Sequence, residues 1–229
     1  MLPIIVFISR VSIFRKFYAR VKSLVWKVKF PTLDVVADFE NILFIAHPDD
    51  DVIFFYEYIR EYKPFVVCLT NGDNLARRTE FIFAMRAFGV KGIIHDFKDV
   101  FNEPLPESEL EYVISHYLSL KTWRTVATHN AEGEYGHSHH MQISHCVRKL
   151  VDFSSSVLLM PPVLKELETP KFLAKNINAK ISFLEEFYAT QAHGILNCGP
   201  VYRRWVDFEG LVRQWPICDI KQDVQVGQR

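Results

Sequence analysis

The sequence predicts an α/β fold, a Rossmann-like sandwich in which a mostly parallel sheet is flanked by helices. Three observations predict it. Short, continuously apolar runs recur along the chain, as strands buried on both faces show. Stretches able to form helices separate these runs in a β-α-β-α order. The two densest polar clusters each follow directly on an apolar run, which is where open α/β sheets bind ligands. The 229 residues, 49% hydrophobic and 24% charged, fit one large domain and exclude disorder, collagen and coiled coil.

Residues 1–30 stand apart from the rest. They carry Arg10, Arg15, Lys16, Arg20, Lys22, Lys27 and Lys29 and no acidic side chain, whereas residues 31–229 are net acidic. Ile4, Phe7, Ile8, Val11, Phe14, Phe17, Tyr18, Val21, Leu24, Val25 and Val28 recur at three- and four-residue steps, the pattern of an amphipathic helix that Pro31 ends. Such a helix suits an anionic membrane surface; docking on the protein's own core is the alternative. Arg10 interrupts the opening apolar stretch and no small-residue cleavage site follows, so the segment does not read as a signal peptide. No apolar run reaches the ~18 residues of a bilayer-spanning helix. A balanced net charge excludes a globally basic nucleic-acid binder. Cys68, Cys146, Cys198 and Cys218 show no CxxC spacing and read as buried free thiols in a reducing compartment, so the expected location is cytoplasmic, peripheral on a membrane if residues 1–30 bind one.

Residues 31–229 form the second expected unit, a single folded domain. Its strands are expected at Asn41–Ala46, Pro64–Leu69, Gly92–Phe97, Thr125–Thr128 and Ser156–Met160. Helices are expected at Asp51–Tyr62, Asn74–Phe88, Ser108–Ser119, His140–Phe153 and Thr169–Phe187, and the last ~40 residues read as irregular.

The first polar cluster, His47-Pro48-Asp49-Asp50-Asp51, gathers three carboxylates beside a histidine, an arrangement that is costly unless a cation holds it. A helix start capped by Asp50 and Asp51 is the ordinary explanation of the same residues. The second cluster runs from Thr128 to His140 and, with His145, brings five of the nine histidines into 17 positions. Two histidines, one carboxylate and an open position are a catalytic zinc arrangement, which points to metal-assisted hydrolysis. His145 is a poor helical neighbour of His140 and reads as structural. No GxGxxG or Walker-type loop is present, so the alternating fold does not imply a nucleotide cofactor.

With both clusters in view, the chain resembles the LmbE-like (PIG-L) de-N-acetylases, typified by the N-acetylglucosaminyl-phosphatidylinositol deacetylase and the mycothiol-pathway deacetylase. The carriers of the resemblance are Ala46–Asp51, against the family's (A/P)HPDDE, and Gly133–His140, against its GEYGHPDH-like element. Weaker echoes are Thr70-Asn71-Gly72-Asp73, the pair Arg77 and Glu80, and Tyr188-Ala189-Thr190-Gln191. The resemblance implies a zinc-dependent hydrolase, with Fe2+ as another possible metal, that removes acetyl from an N-acetylglucosamine-type sugar conjugate or glycolipid. It makes His47, Asp50 and His140 the metal ligands and Asp49 the base that activates a metal-held water. Tyr135 and His137 become the groups that polarise the amide carbonyl, His137 also a candidate acid for the amine, and Arg77 a substrate contact. His129 and Asn130 are candidate pocket residues or loop caps. Three positions depart from the pattern: Asp51 stands for glutamate, Ser138 for a frequent proline, and His139 for Asp or Asn. The last removes a negative charge beside His137, which keeps two other readings open: an inactive, membrane-associated sugar-binding module of the same fold, and a metallohydrolase of another amide or ester. The sequence leaves the oligomeric state unknown.

Overall fold

A computed structural model describes residues 30–100, 103–197 and 200–214, the side chains of residues 200 and 201 excepted. The basic segment expected over residues 1–30 therefore lies, but for Phe30, outside the described residues, and the folded unit runs from Leu33. In chain order, α1 (Leu33–Val36) precedes β1 (Asn41–Ile45), α2 (Asp50–Ile53), α3 (Tyr56–Tyr62) and β2 (Phe65–Thr70). Next come α4 (Leu75–Phe88), β3 (Gly92–Phe97), α5 (Glu107–Ser119) and β4 (Thr125–Ala127). The tight turn Gly133–Gly136, α6 (Ser138–Leu150), β5 (Val157–Met160) and α7 (Leu164–Leu167) follow. The chain then forms a 3-10 turn at Pro170–Phe172, α8 (Ile177–Phe187), α9 (Ala189–Asn197), α10 (Pro200–Asp207) and β6 (Val212–Gln214).

The six strands form one sheet in the order β3-β2-β1-β4-β5-β6. The first five are parallel, and β6 runs antiparallel beside β5. Every residue of β1, β2 and β4 is buried, which explains why these stretches are continuously apolar rather than alternating. The strand order reverses direction at β1 and β4, neighbours in the sheet whose onward connections lead to opposite sides. Such a reversal opens a crevice at the carboxyl ends of the two strands. At the neighbouring end of β2, Gly72 crosses so close to β3 that a Cβ there would meet the His95 carbonyl oxygen at 2.6 Å, so only glycine fits.

Two expectations about helices are corrected. The helix expected over Asp51–Tyr62 breaks at Phe54 and Phe55, whose rings are both buried and both pack edge-on against His129, turning the chain between α2 and α3. The helix expected over Thr169–Phe187 starts only at Ile177, because the Pro170–Phe172 turn and a bridge from Leu173 to Phe208 hold the chain before it. The last stretch, expected to be irregular, contains α9, α10 and β6. These elements are too short for a period to be counted, and long-range packing of Trp205, Val206, Ala192 and Ile195 into the core decides their structure.

That C-terminal layer is tied down by Lys180 on α8, 1% exposed. Its Nζ donates to the carbonyls of Ile53 (2.7 Å) and Trp205 (2.9 Å) and to the Glu209 carboxylate (3.0 Å). Glu209 also accepts from the Glu57 amide at 2.6 Å. A buried ion pair with every atom satisfied fixes geometry more than it adds stability. Removing one partner is different: Lys180→Met is expected to destabilise the fold by about 3–5 kcal/mol, because Glu209 is left as an uncompensated buried charge. Chemical denaturation checks this, and a further Glu209→Gln change is expected to recover much of the loss.

Candidate active site

β1 runs directly into His47–Asp51, and α2 starts at Asp50. Asp49 sits at φ 116°, ψ −28°, a conformation that residues with a Cβ rarely adopt. The surroundings impose it: the Asp49 carbonyl accepts from the amides of Val52 and Ile53, both at 2.9 Å. Asp51 accepts from the Asp49 amide through Oδ1 (3.1 Å) and from the Tyr188 hydroxyl through Oδ2 (2.8 Å). After β4, the turn at Gly133–Gly136 holds Glu134 at φ 59°, ψ −65°, a second strained residue. The chain then enters α6, which places His139 and His140 in the interior.

One hydrogen bond joins the two loops and fixes proton positions beyond itself. The Ala46 amide donates to His129 Nε2 at 3.0 Å, so the hydrogen of that ring sits on Nδ1. Burial pushes His129 down while Glu134 and Asp50 pull it up to about 9. The Ala46 N–H nevertheless leaves Nε2 no room for a proton. His129 Nδ1 lies 3.1 Å from Glu134 Oε2, which also receives His140 Nδ1 at 2.7 Å. Glu134 Oε1 accepts from the Asn130 amide at 2.8 Å. Both histidines thus point their Nδ1 hydrogens at one carboxylate, and the bare Nε2 of His140 faces the crevice.

There it meets His47 Nδ1 at 3.2 Å and Asp50 Oδ2 at 3.5 Å, and the last two atoms are 3.4 Å apart. A tetrahedral ion with bonds of ~2.0–2.1 Å spaces its ligand atoms by about 3.3–3.4 Å, so this triangle fits one small divalent cation. Asp50, His129 and His140 also lie close enough to share an ion, but the His129 lone pair is occupied by Ala46. His137 approaches the same centre, its ring 4.5 Å from that of His140, and its Nδ1 is buried without a hydrogen-bond partner.

The site opens into a cavity of about 260 Å³ lined by His47, Asp49, Asp50, Arg77, Tyr135 and His137. Ile53, Asp99, Gln191, Gly194, Ile195 and Tyr202 complete its wall. Arg77 is brought in by α4, whose start is capped by the Asn74 side chain accepting from the Ala76 and Arg77 amides. Its guanidinium binds the Pro48 carbonyl and lies 3.1 Å from Asp49 Oδ2, with Glu80 at 3.7 Å on the other side.

These contacts separate the protonation states. Burial raises the Asp49 carboxyl to about 6, with Arg77 opposing the shift. Burial would also raise Asp50, but the His140 and His129 imidazoles hold it well below the usual carboxylate range. Burial, then His140 and His47, push His137 down to about 3, and burial keeps the Tyr135 phenol protonated. His47 is raised to about 10 by Asp50 and Asp99 against the effect of burial, so this corner attracts positive charge, whether proton or metal.

Seven of the nine sequence-predicted residues thus meet at one place: His47, Asp49, Asp50, Arg77, Tyr135, His137 and His140. His129 and Asn130 do not line the cavity. His129 is fully buried behind it, and Asn130 is spent on the turn, accepting from the Glu132 and Glu134 amides and donating to the Pro162 carbonyl. Their polar groups close the loop, the alternative that the sequence left open for them. Sequence reasoning missed Asp99, Glu134 and Tyr202. Glu134 lies within the second cluster, and Asp99 follows the third strand, so a strand-end search would have found both. Tyr202, its ring 4.9 Å from Tyr135, arrives by tertiary packing alone.

Residues 42–151 match the model of the family PIG-L, GlcNAc-PI de-N-acetylase. Over these residues the chain is similar to the PIG-L family. A 123-residue stretch is 32% identical to an uncharacterized protein of Acanthamoeba polyphaga mimivirus, covering 46% of this chain and 55% of that protein. The chain thus matches only about half the length of this curated relative. Two solved structures are similar to this chain in fold. One is a 4-carboxy-2-hydroxymuconate hydratase from Pseudomonas putida, with TM-score 0.53 and 15% identity over 73% of this chain and 83% of that one. The other is an N,N′-diacetylchitobiose deacetylase from Pyrococcus horikoshii, with TM-score 0.50 and 20% identity over 82% and 79% of the two chains.

The Glu134 brace yields a direct test. Glu134→Gln leaves one acceptor oxygen for three donors, the two Nδ1 hydrogens and the Asn130 amide, and is expected to weaken divalent-metal binding by about 10–100-fold. Competition with a chromophoric chelator measures the change.

Proposed function

We propose that the chain is a metal-dependent de-N-acetylase that hydrolyses the acetamide of an N-acetylglucosamine-type sugar conjugate or glycolipid. The observation that carries this reading is the triangle of His47 Nδ1, Asp50 Oδ2 and His140 Nε2 with the Asp49 carboxylate beside it, in a stretch similar to the PIG-L family. The deacetylase from Pyrococcus horikoshii supports it as a neighbour in fold. The hydratase neighbour shows that the architecture alone does not choose the reaction. A zinc ion held by the triangle would lower the pKa of a coordinated water toward ~7 and so make a nucleophile available near neutral pH.

The protein's own groups then divide the work. Asp49, ionised above about 6, takes a proton from the attacking water. As the water oxygen adds to the acetyl carbon, the Tyr135 phenol and the neutral imidazole of His137 donate to the developing oxyanion. The C–N bond breaks, the amine leaves with the proton that Asp49 received, and the acetic acid formed gives its remaining proton to solvent or to the amine, leaving acetate. With its pKa down at about 3, His137 is a hydrogen-bond donor here and not the source of the amine's proton. Gln191, Ile195 and Tyr202 are the residues placed to select among sugar conjugates. The one-signed charge of residues 1–30 supports contact with an anionic membrane surface on its cytoplasmic side, which would suit a glycolipid substrate.

Metal content and acetate release, measured together on a panel of N-acetylglucosaminides, test the reading. About one zinc per chain with chelator-sensitive acetate release is expected, and a protein that takes up no metal would refute it. Asp49→Asn is expected to keep its zinc and to lose turnover by at least about 100-fold. The rate of the unaltered protein should rise with pH through about 6 as Asp49 ionises, with no descending limb from His137 at neutral pH. In Arg77→Gln the carboxylate loses a neighbouring positive charge, so the ascending limb is expected to move to higher pH. A change in KM with an unmoved limb would instead make Arg77 a substrate contact only.

A further inference from the structure

We propose that Asp99, His139 and the outward nitrogen of His47 form a second divalent-cation site beside the inner triangle. His47 Nε2 lies 3.4 Å from Asp99 Oδ1 and 3.4 Å from His139 Nδ1, and these last two atoms are 3.5 Å apart. Ligand atoms around a tetrahedral ion with ~2.0–2.1 Å bonds stand about 3.3–3.4 Å apart. The outer triangle therefore matches the geometry of a bound cation as closely as the inner one does.

Hydrogen placement is compatible with such a site. The Glu103 carbonyl can only accept, so His139 Nε2, at 2.8 Å from it, carries a hydrogen. In the neutral ring Nδ1 is then a bare lone pair, aimed at the Asp99 carboxylate and at His47. A lone pair facing a carboxylate oxygen calls for a positive centre between them, which a hydrogen on His47 Nε2 or a bound cation supplies. His139 is fully buried, so solvent does not supply that centre. Asp99 does not lack other support, since the Asn71 side chain donates to its second oxygen at 3.0 Å. Its side chain is one third exposed and lines the cavity, which leaves an ion a path to the triangle. Two imidazoles and one carboxylate suit Zn2+, Ni2+ or Cu2+ rather than Mg2+ or Ca2+.

His47 belongs to both triangles, Nδ1 facing inward and Nε2 outward. Filling both sites would require the hydrogen on His47 Nε2 to leave to solvent as a proton, so that the ring could offer one nitrogen to each. The outer site rests on the proposed function only through that shared residue.

The test is metal counting on the full chain after stripping with chelator and equilibrium dialysis against excess Zn2+ or Co2+. Unaltered protein is expected to take up about two equivalents, the second more weakly held. His139→Asn and, independently, the partly exposed Asp99→Asn are expected to take up about one, with the circular dichroism spectrum unchanged. A single equivalent in the unaltered protein at saturating metal would overturn the outer site and leave the inner one standing. Two equivalents persisting in both variants would place the second ion elsewhere and overturn it too. No uptake at all would overturn the inner site as well, so the two failures are distinguishable.

Discussion

The hydrogen bond from the Ala46 amide to His129 Nε2 is the contact on which the site depends. It crosses from the end of β1 to the end of β4, adjacent strands whose register is already set by the parallel ladder. By occupying one nitrogen of His129 it fixes the hydrogen on the other, and Glu134 takes that hydrogen together with the one on His140. His140 is left with a single exposed lone pair, the one directed at His47 and Asp50. A main-chain donor thus determines, two side chains away, which nitrogen can bind a metal. Imidazoles have no intrinsic preference strong enough to do this alone; their partners choose the tautomer.

The cluster is possible only because the fold brings many charges together in a dry place and matches nearly all of them. Asp49, Asp50, Asp51, Glu134, His129 and His140 are all at most 7% exposed. Left unpaired, such groups would neutralise or unfold the chain. Here Asp51 is held by an amide and a tyrosine hydroxyl, Glu134 by two imidazoles and an amide, and Asp49 by Arg77. Asp49 and Glu134, two of the four non-glycine residues with positive φ among the described residues, are members of this same network. Their dihedrals persist because several contacts over-determine them, which is how strain is stored at working sites.

Much of this was legible before the structure, and for identifiable reasons. The strands were readable because burial on both faces demands uninterrupted apolar runs, and β1, β2, β3, β4 and β5 fall within a residue or two of expectation. The two clusters were readable because each is contiguous in sequence and follows a strand. Other parts depended on distance in sequence. Asp99 gains its meaning only when β3 is set two strands from β1, and Tyr202 only when α10 packs over the cavity. Asn130 was misplaced because a polar residue after a strand signals either a pocket or a turn, and hydrogen-bond partners alone separate the two. The two buried cysteines among the described residues, Cys68 and Cys146, are free thiols as their spacing implied, while Cys198 and Cys218 lie outside them.

The Lys180 clamp has a further consequence, for how such a domain can diversify. It anchors the C-terminal layer to the Ile53 carbonyl, a main-chain atom present whatever side chains surround it. The residues that face the cavity from that layer, Gln191, Gly194, Ile195 and Tyr202, take no part in the clamp. Selection is therefore free to rewrite the outer wall one residue at a time while the reactive groups on the far side keep their places. In a lineage of such proteins, the cluster at the strand ends would persist while the shape of the cavity it opens into drifts.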